Sequence, residues 1–340
     1  MKTIRNLSIT VTAAALMAAS MSGGAFAQDF TAKIGHLESA AQNRHIHLEK
    51  VAALVSERTN GAVEFTLFPQ AQLGDQRQMN EGVQFGSLEA TVAPAAFLGG
   101  FNPVVSILDI PYLLPEGEDA AQALREGPFG QTLLDSFTDK GMHAIALWPN
   151  GRKHVTSNLP IADLADYASQ KFRVMDSRVL IEQFNALDAS AIAIPFGELY
   201  TALQTGVIDG QENPLDTIET MKYFEVQENL VISGHGAMED VVIFNPAWWD
   251  SLPAEYQTII EDAFIEMVPE LVANKQAAVD SALEAVTEAG MNVRVAGPEE
   301  RAAFREATFD ATSAAYVAQA GDAGQALLDV YLEEYENVTQ

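Results

Sequence analysis

The sequence predicts an α/β protein of two similar lobes joined by crossing strands, with a long helix spanning both. Three observations predict it. Strand and helix signals alternate over residues 30–150, the alternation returns over 171–244, and a glycine-free helical stretch follows at 254–289.

The first 27 residues stand apart. Lys2 and Arg5 precede a largely apolar run from Leu7 to Ala19, too short for a membrane span, and Ala25-Phe26-Ala27 has the small-x-small pattern of a signal peptidase site. We expect cleavage after Ala27 and export of the remainder.

Thr31 to Gly35 reads as a strand, and Leu48, Val51, Ala52 and Val55 recur at helical spacing until Asn60-Gly61. Val63, Phe65 and Leu67 alternate with polar residues as a second strand. Met79 and Val83 mark a short helix, and Leu88 to Ala93 a third strand. Residues 120–137 read as helix interrupted at Gly127-Pro128, before a strand from His143 to Trp148. The pattern repeats further on, with strands expected at Phe172–Met175, Ala191–Ile194, Leu230–Ile232 and Val241–Phe244, and helices at Val179–Leu187 and Glu198–Gln204. The stretch from Ala254 to Ala289 would form a strut of roughly 54 Å at ~1.5 Å per residue, kinked at Pro269. Asn292 to Val295 is a last strand, and the chain is helical from Pro298. The expected division is 28–150 with about 239–278 in lobe I, and 151–238 with about 279–340 in lobe II. Such halves suit a hinged receptor with its ligand between them.

Charge narrows the function. Without the leader, 17 Lys+Arg face 47 Asp+Glu, a balance of −30 that repels phosphate backbones and anionic lipid. Nucleic acid is therefore not an expected partner. With no cysteine, thiolate chemistry and a cystine scaffold are excluded. No Gly-x-Ser-x-Gly, Walker-type loop, Gly-x-Gly-x-x-Gly or His-Glu-x-x-His occurs, so we expect a binding protein rather than an enzyme, without a cofactor. His36, His45 and His47 are close in sequence, but two residues of separation put His45 and His47 on different faces of a helix, and no metal site is expected.

Against so acidic a background, cations stand out. Arg152, Lys153, Lys171 and Arg173 fall within 22 residues. In a strand Phe172-Arg173-Val174, Arg173 points away from its neighbours, and its planar fork matches a carboxylate. A second feature runs from Pro195-Phe196 to Pro214. It places Gln211, Glu212 and Asn213 in a tight polar loop ahead of a helix expected to start at Pro214. Taken singly, Arg173 also fits a surface ion pair and Asn213 a helix cap.

These stretches resemble the extracytoplasmic solute receptors of TRAP transporters, the DctP-like family, a class II-like two-lobe fold. Phe68-Pro69-Gln70-Ala71-Gln72-Leu73-Gly74-Asp75 is similar to the family's P-x-x-Q-L-G segment. Ala202 to Pro214 carries the most specific match, A-L-Q-T-G-V-I-D-G-Q-E-N-P, and Pro160 to Arg173 resembles the segment leading to the clamping arginine. The resemblance implies that Arg173 forks onto a ligand carboxylate, that Asn213 hydrogen-bonds the same group, and that Phe196 packs on the ligand. It implies a periplasmic monomer delivering a small organic acid to a two-subunit membrane permease. Two departures matter. Asp166-Tyr167-Ala168-Ser169 replaces D-L-x-G, and the second ligand-facing arginine is replaced by Lys153, with Arg152 one residue out of step. The lack of an acid near Ala93-Pro94 argues against sialic acid. His36, Gln72, Asp75, Asp176 and Glu212 complete the candidate ligand-binding residues. Other readings are an ATP-driven uptake receptor, whose ligand ammonium would pair with Glu212 or Asp176, and a periplasmic hydrolase.

Overall fold

The computed structural model describes residues 29–339, so the leader and its cleavage site lie outside the described residues. The chain begins β1 (Phe30–Gly35), α1 (Asn43–Arg58), β2 (Val63–Phe68), α2 (Gln76–Phe85) and β3 (Ala90–Pro94). Next come α3 (Glu118–Glu126) and α4 (Pro128–Asp135), broken where Gly127-Pro128 was expected to break them, then β4 (His143–Ser157). Continuing, β5 (Lys171–Val174), α5 (Arg178–Asn185), β6 (Ser190–Ala193), α6 (Leu199–Gln204), β7 (Gly210–Pro214) and α7 (Leu215–Thr220) lead to β8 (Asn229–Phe244). The chain closes with α8 (Pro246–Asp250), α9 (Ala254–Glu266), α10 (Val268–Glu288), β9 (Asn292–Val295) and α11 (Pro298–Thr339).

All nine strands form one sheet, in the order β2-β1-β3-β8-β4-β7-β5-β6, with β9 on β8. The pairings β1–β2, β1–β3, β5–β6 and β5–β7 are parallel, as alternating strands and helices require. What joins the halves is an antiparallel ribbon. At one end His143–Pro149 of β4 pairs with Phe244–Glu239 of β8, beside β3; at the other, Val155–Ser157 pairs with Val231–Asn229, beside β7 and β9. The register slips between Pro149/Arg152 and Lys153/Val155, so the ribbon is irregular midway between the lobes.

Sequence reading had split β8 into two short strands and ended β4 at Trp148. Gly151 (φ 87°) and Gly234 (φ 59°) do interrupt regular geometry, but the pairing of β4 with β8 on either side of them carries both strands through. The stretch expected as polar loop, Gln211–Asn213, is instead the buried centre of β7. The next helix starts at Leu215 with Pro214 as its cap.

The 254–289 stretch forms α9 and α10, which meet at Met267 (φ −77°, ψ −17°), just before Pro269. Ile260, Phe264, Val268 and Leu271 pack with Trp148 and Phe244, while Ala282 and Val286 pack with Leu199 and Ile218. The tail departs from the expected grouping of 279–340. Phe304 packs with Tyr167 and Phe172, yet Tyr316, Leu327, Leu328 and Tyr331 pack with Ile107, Phe129 and Leu133. A helix of 42 residues, kinked at Gly321, is long enough to leave one core and enter the other.

Candidate functional site

Strand alternation decides where each side chain goes. Phe172 stacks on Phe184, ring centroids 4.5 Å apart, so its neighbour Arg173 emerges on the opposite face of β5. Arg173 is paired with Gln211 in β7, and Asn213 lies two residues on, so all three share that face. There Asn213 Nδ2 donates to Gln211 Oε1, and Gln211 Nε2 donates to Thr156 Oγ1 at 3.0 Å.

Arg173 is 0% exposed. Its Nε donates to Ile194 O at 2.9 Å, while Nη1 and Nη2 are buried with no hydrogen-bond partner among the described residues. Burial brings its pKa down to about 10, so it stays charged at neutral pH. An ionised fork without an acceptor is a costly arrangement in a protein interior.

Asn213 lines a cleft with Phe97, Met175, Phe196 and Met238 as apolar walls. Leu37, Phe97 and Phe196 also line a wider opening, where Asp75 and Asp176 lie. Asp75 additionally caps α2: its Oδ1 accepts from Gln78 N at 2.8 Å, and Gln78 Oε1 accepts from Asp75 N at 2.9 Å.

Other candidates go elsewhere. Glu212 and Lys153 face away from Arg173. Lys153 Nζ donates to Glu212 Oε1 at 2.6 Å, and Gln183 Nε2 donates to Glu212 Oε2 at 2.9 Å. His235 Nε2 lies 2.6 Å from the same Oε2. Burial alone would raise the Glu212 pKa, but Lys153 and His235 hold it well below the usual carboxylate range. Lys153 borders a smaller cavity that shares Pro94, Met175 and Met238 with the main cleft. Arg152 is not brought to the cleft. Its guanidinium donates to Leu114 O and Pro115 O in a separate groove with His154 and Arg301. His36 is buried, 3.0 Å from His45 Nδ1, with burial depressing its pKa to about 3, and Gln72 is exposed. His47 Nδ1 instead bonds Asn43 O, so the three histidines do not converge.

Sequence reasoning missed a polar group in the wall of the cleft, which Glu38 and Arg44 help to form. Arg44 Nε and Nη2 donate to Asp240 Oδ2 and Oδ1, each at 2.7 Å. Asn150 Nδ2 donates to Glu38 Oε1 at 2.9 Å and to Asp240 Oδ2 at 3.1 Å. Lys275 Nζ joins Asn150 Oδ1 at 2.7 Å to Asp216 Oδ2 at 2.5 Å. Burial would raise Glu38, but Arg44 and Lys275 hold it below its ordinary value. Burial pushes Asp240 up to about 6 despite Arg44. The sequence signal was weak: Arg44 follows a helix start, and its bidentate partner is 196 residues away.

Residues 34–319 match the family model described as bacterial extracellular solute-binding protein, family 7 (DctP). The C4-dicarboxylate-binding periplasmic protein DctP of Rhodobacter capsulatus is 34% identical over 311 residues, 90% of this chain and 92% of that protein. A TRAP periplasmic solute-binding protein from Desulfovibrio salexigens, solved with bound orotic acid, is 61% identical. It superposes with a TM-score of 0.90 over 91% of this chain and 99% of that one. A TRAP solute-binding protein from Sulfurospirillum deleyianum with bound succinate is 29% identical, with a TM-score of 0.80 over 88% and 98% of the two chains.

Proposed function

Because this chain belongs to the bacterial extracellular solute-binding proteins of family 7, we propose that its cleft captures a carboxylate carried on a flat ring, of the orotate type. Membership makes it a periplasmic, two-lobe, carboxylate-binding receptor that serves a TRAP membrane permease and is not an enzyme.

The observation that carries the ligand reading is the buried Arg173 fork, with two nitrogens lacking acceptors among the described residues, on the face it shares with Asn213. A carboxylate supplies two parallel acceptors for such a fork, and the Asn213 amide is placed to steady it. Phe97, Phe196, Met175 and Met238 offer aromatic and thioether surfaces suited to a flat ring. The orotic acid bound to the 61%-identical relative supports the same class.

In this reading the receptor is a monomer cleaved after Ala27. Its lobes comprise 28–150 with about 239–278, and 151–238 with about 279–315, and the tail beyond folds back on the first. Ligand binding favours the closed arrangement through the β4–β8 ribbon, and the closed form docks on a two-subunit permease.

A thermal-shift and calorimetric screen of orotate, succinate, galacturonate and galactonate tests the proposal. Orotate at ~100 times its dissociation constant should add about 2.7 kcal/mol of apparent stability. Tighter binding of succinate or a sugar acid contradicts it.

A further inference from the structure

We infer that Arg44 and Glu38 form a specificity-determining pole of the cleft that selects a neutral amide edge, a C=O beside an N–H, on the ligand's far end. This rests on the ring-carboxylate reading and deepens it.

Arg44 is 3% exposed and lines the cleft. Its Nε and Nη2 are held by Asp240, but Nη1 is buried with no partner among the described residues. Such a donor is left for something that enters the cleft. Beside it, Glu38 Oε1 already accepts from Asn150, whereas among the described residues Oε2 receives only the Arg44 backbone N–H, at 3.3 Å. The pole therefore offers one free donor and one underused acceptor side by side. An amide edge complements that pair: its carbonyl accepts from Nη1, and its N–H donates to Oε2.

Charge excludes the obvious alternative, a second carboxylate. The cluster holds three acids, Glu38, Asp216 and Asp240, against two cations, Arg44 and Lys275, for a balance of −1. Asp216 Oδ1 is itself buried without a hydrogen-bond partner among the described residues. An anion placed here meets uncompensated negative charge in a poorly solvated site. The two polar groups thus differ in kind: Arg173 takes the carboxylate, and the Arg44–Glu38 pole takes a neutral polar edge.

The test measures orotate and succinate affinities by calorimetry on the wild type, Arg44→Lys and Glu38→Gln. Lysine keeps a cation opposite Asp240 but lacks the free Nη1, and glutamine keeps the shape of Glu38 without its charge. Each substitution is expected to weaken orotate roughly ten- to a hundredfold. Glu38→Gln should tighten succinate, whose second carboxylate then meets no net negative charge, so the orotate preference collapses. Circular dichroism confirms folding, and Glu38→Gln carries the test should Arg44→Lys not fold. Wild-type orotate binding with variant affinities within threefold overturns this inference alone. A wild type that binds other carboxylates but no orotate overturns it together with the ring-carboxylate reading.

Discussion

Lys153 Nζ sits 2.6 Å from Glu212 Oε1, on the sheet face opposite Arg173, with both side chains almost wholly buried. The position expected to supply a second ligand-facing cation instead neutralises a carboxylate behind the cleft. Glu212→Gln leaves the Lys153 charge buried without its counter-ion. Removing one partner of such a pair destabilises by about 3–5 kcal/mol. Urea unfolding should show a loss of that size, and a loss under 1 kcal/mol would contradict the arrangement.

Asn213 faces the cleft where the ligand carboxylate is proposed to arrive. Asn213→Asp would set a second anion there at almost unchanged volume. Juxtaposed like charges cost several kcal/mol, so calorimetry should show affinity falling by roughly a hundredfold or more at pH 7.

The direction of Arg173 was legible because cations are scarce here and alternation in a four-residue strand fixes where they point. The Gln211–Asn213 segment was misread because Gly-Gln-Glu-Asn-Pro has the composition of a turn. It is a strand because Thr156, Lys153 and Gln183 satisfy polar side chains whose partners are remote in sequence. Arg44 was missed for the same reason. Nothing near it announces Asp240, whereas the neighbouring histidines drew attention and pair with each other or the backbone.

Gly151 lies where the β4–β8 register slips, with φ 87°. A Cβ there would sit 2.8 Å from Lys275 Cε. Gly151→Ala combines a left-handed backbone with a clash against the polar cluster, so a loss of about 1–3 kcal/mol is expected in thermal unfolding. An unchanged melting temperature would show that the ribbon relaxes freely at this point.

His154 Nδ1 accepts a hydrogen bond from Gly234 N at 3.1 Å, which requires an unprotonated nitrogen. Burial lowers its pKa from 6.5 to about 3. The unfolded chain therefore takes up the proton first, so this stability is present above pH 6.5 and lost as pH falls toward 3. At pH 5 the loss is about 2 kcal/mol. Asp109 and Asp240, raised to about 6 by burial, oppose the trend by taking up protons in the folded state. The difference between wild type and His154→Asn isolates the histidine. It should shift by about 2 kcal/mol in the variant's favour between pH 7 and 5, and parallel curves would contradict the assignment.

Isothermal titration of orotate into wild type and Arg173→Ala tests the central claim most directly. The account predicts that the variant keeps its circular dichroism spectrum and loses affinity by roughly 30- to 5000-fold, as loss of a desolvated charge-assisted contact requires. Affinity retained within threefold would contradict it.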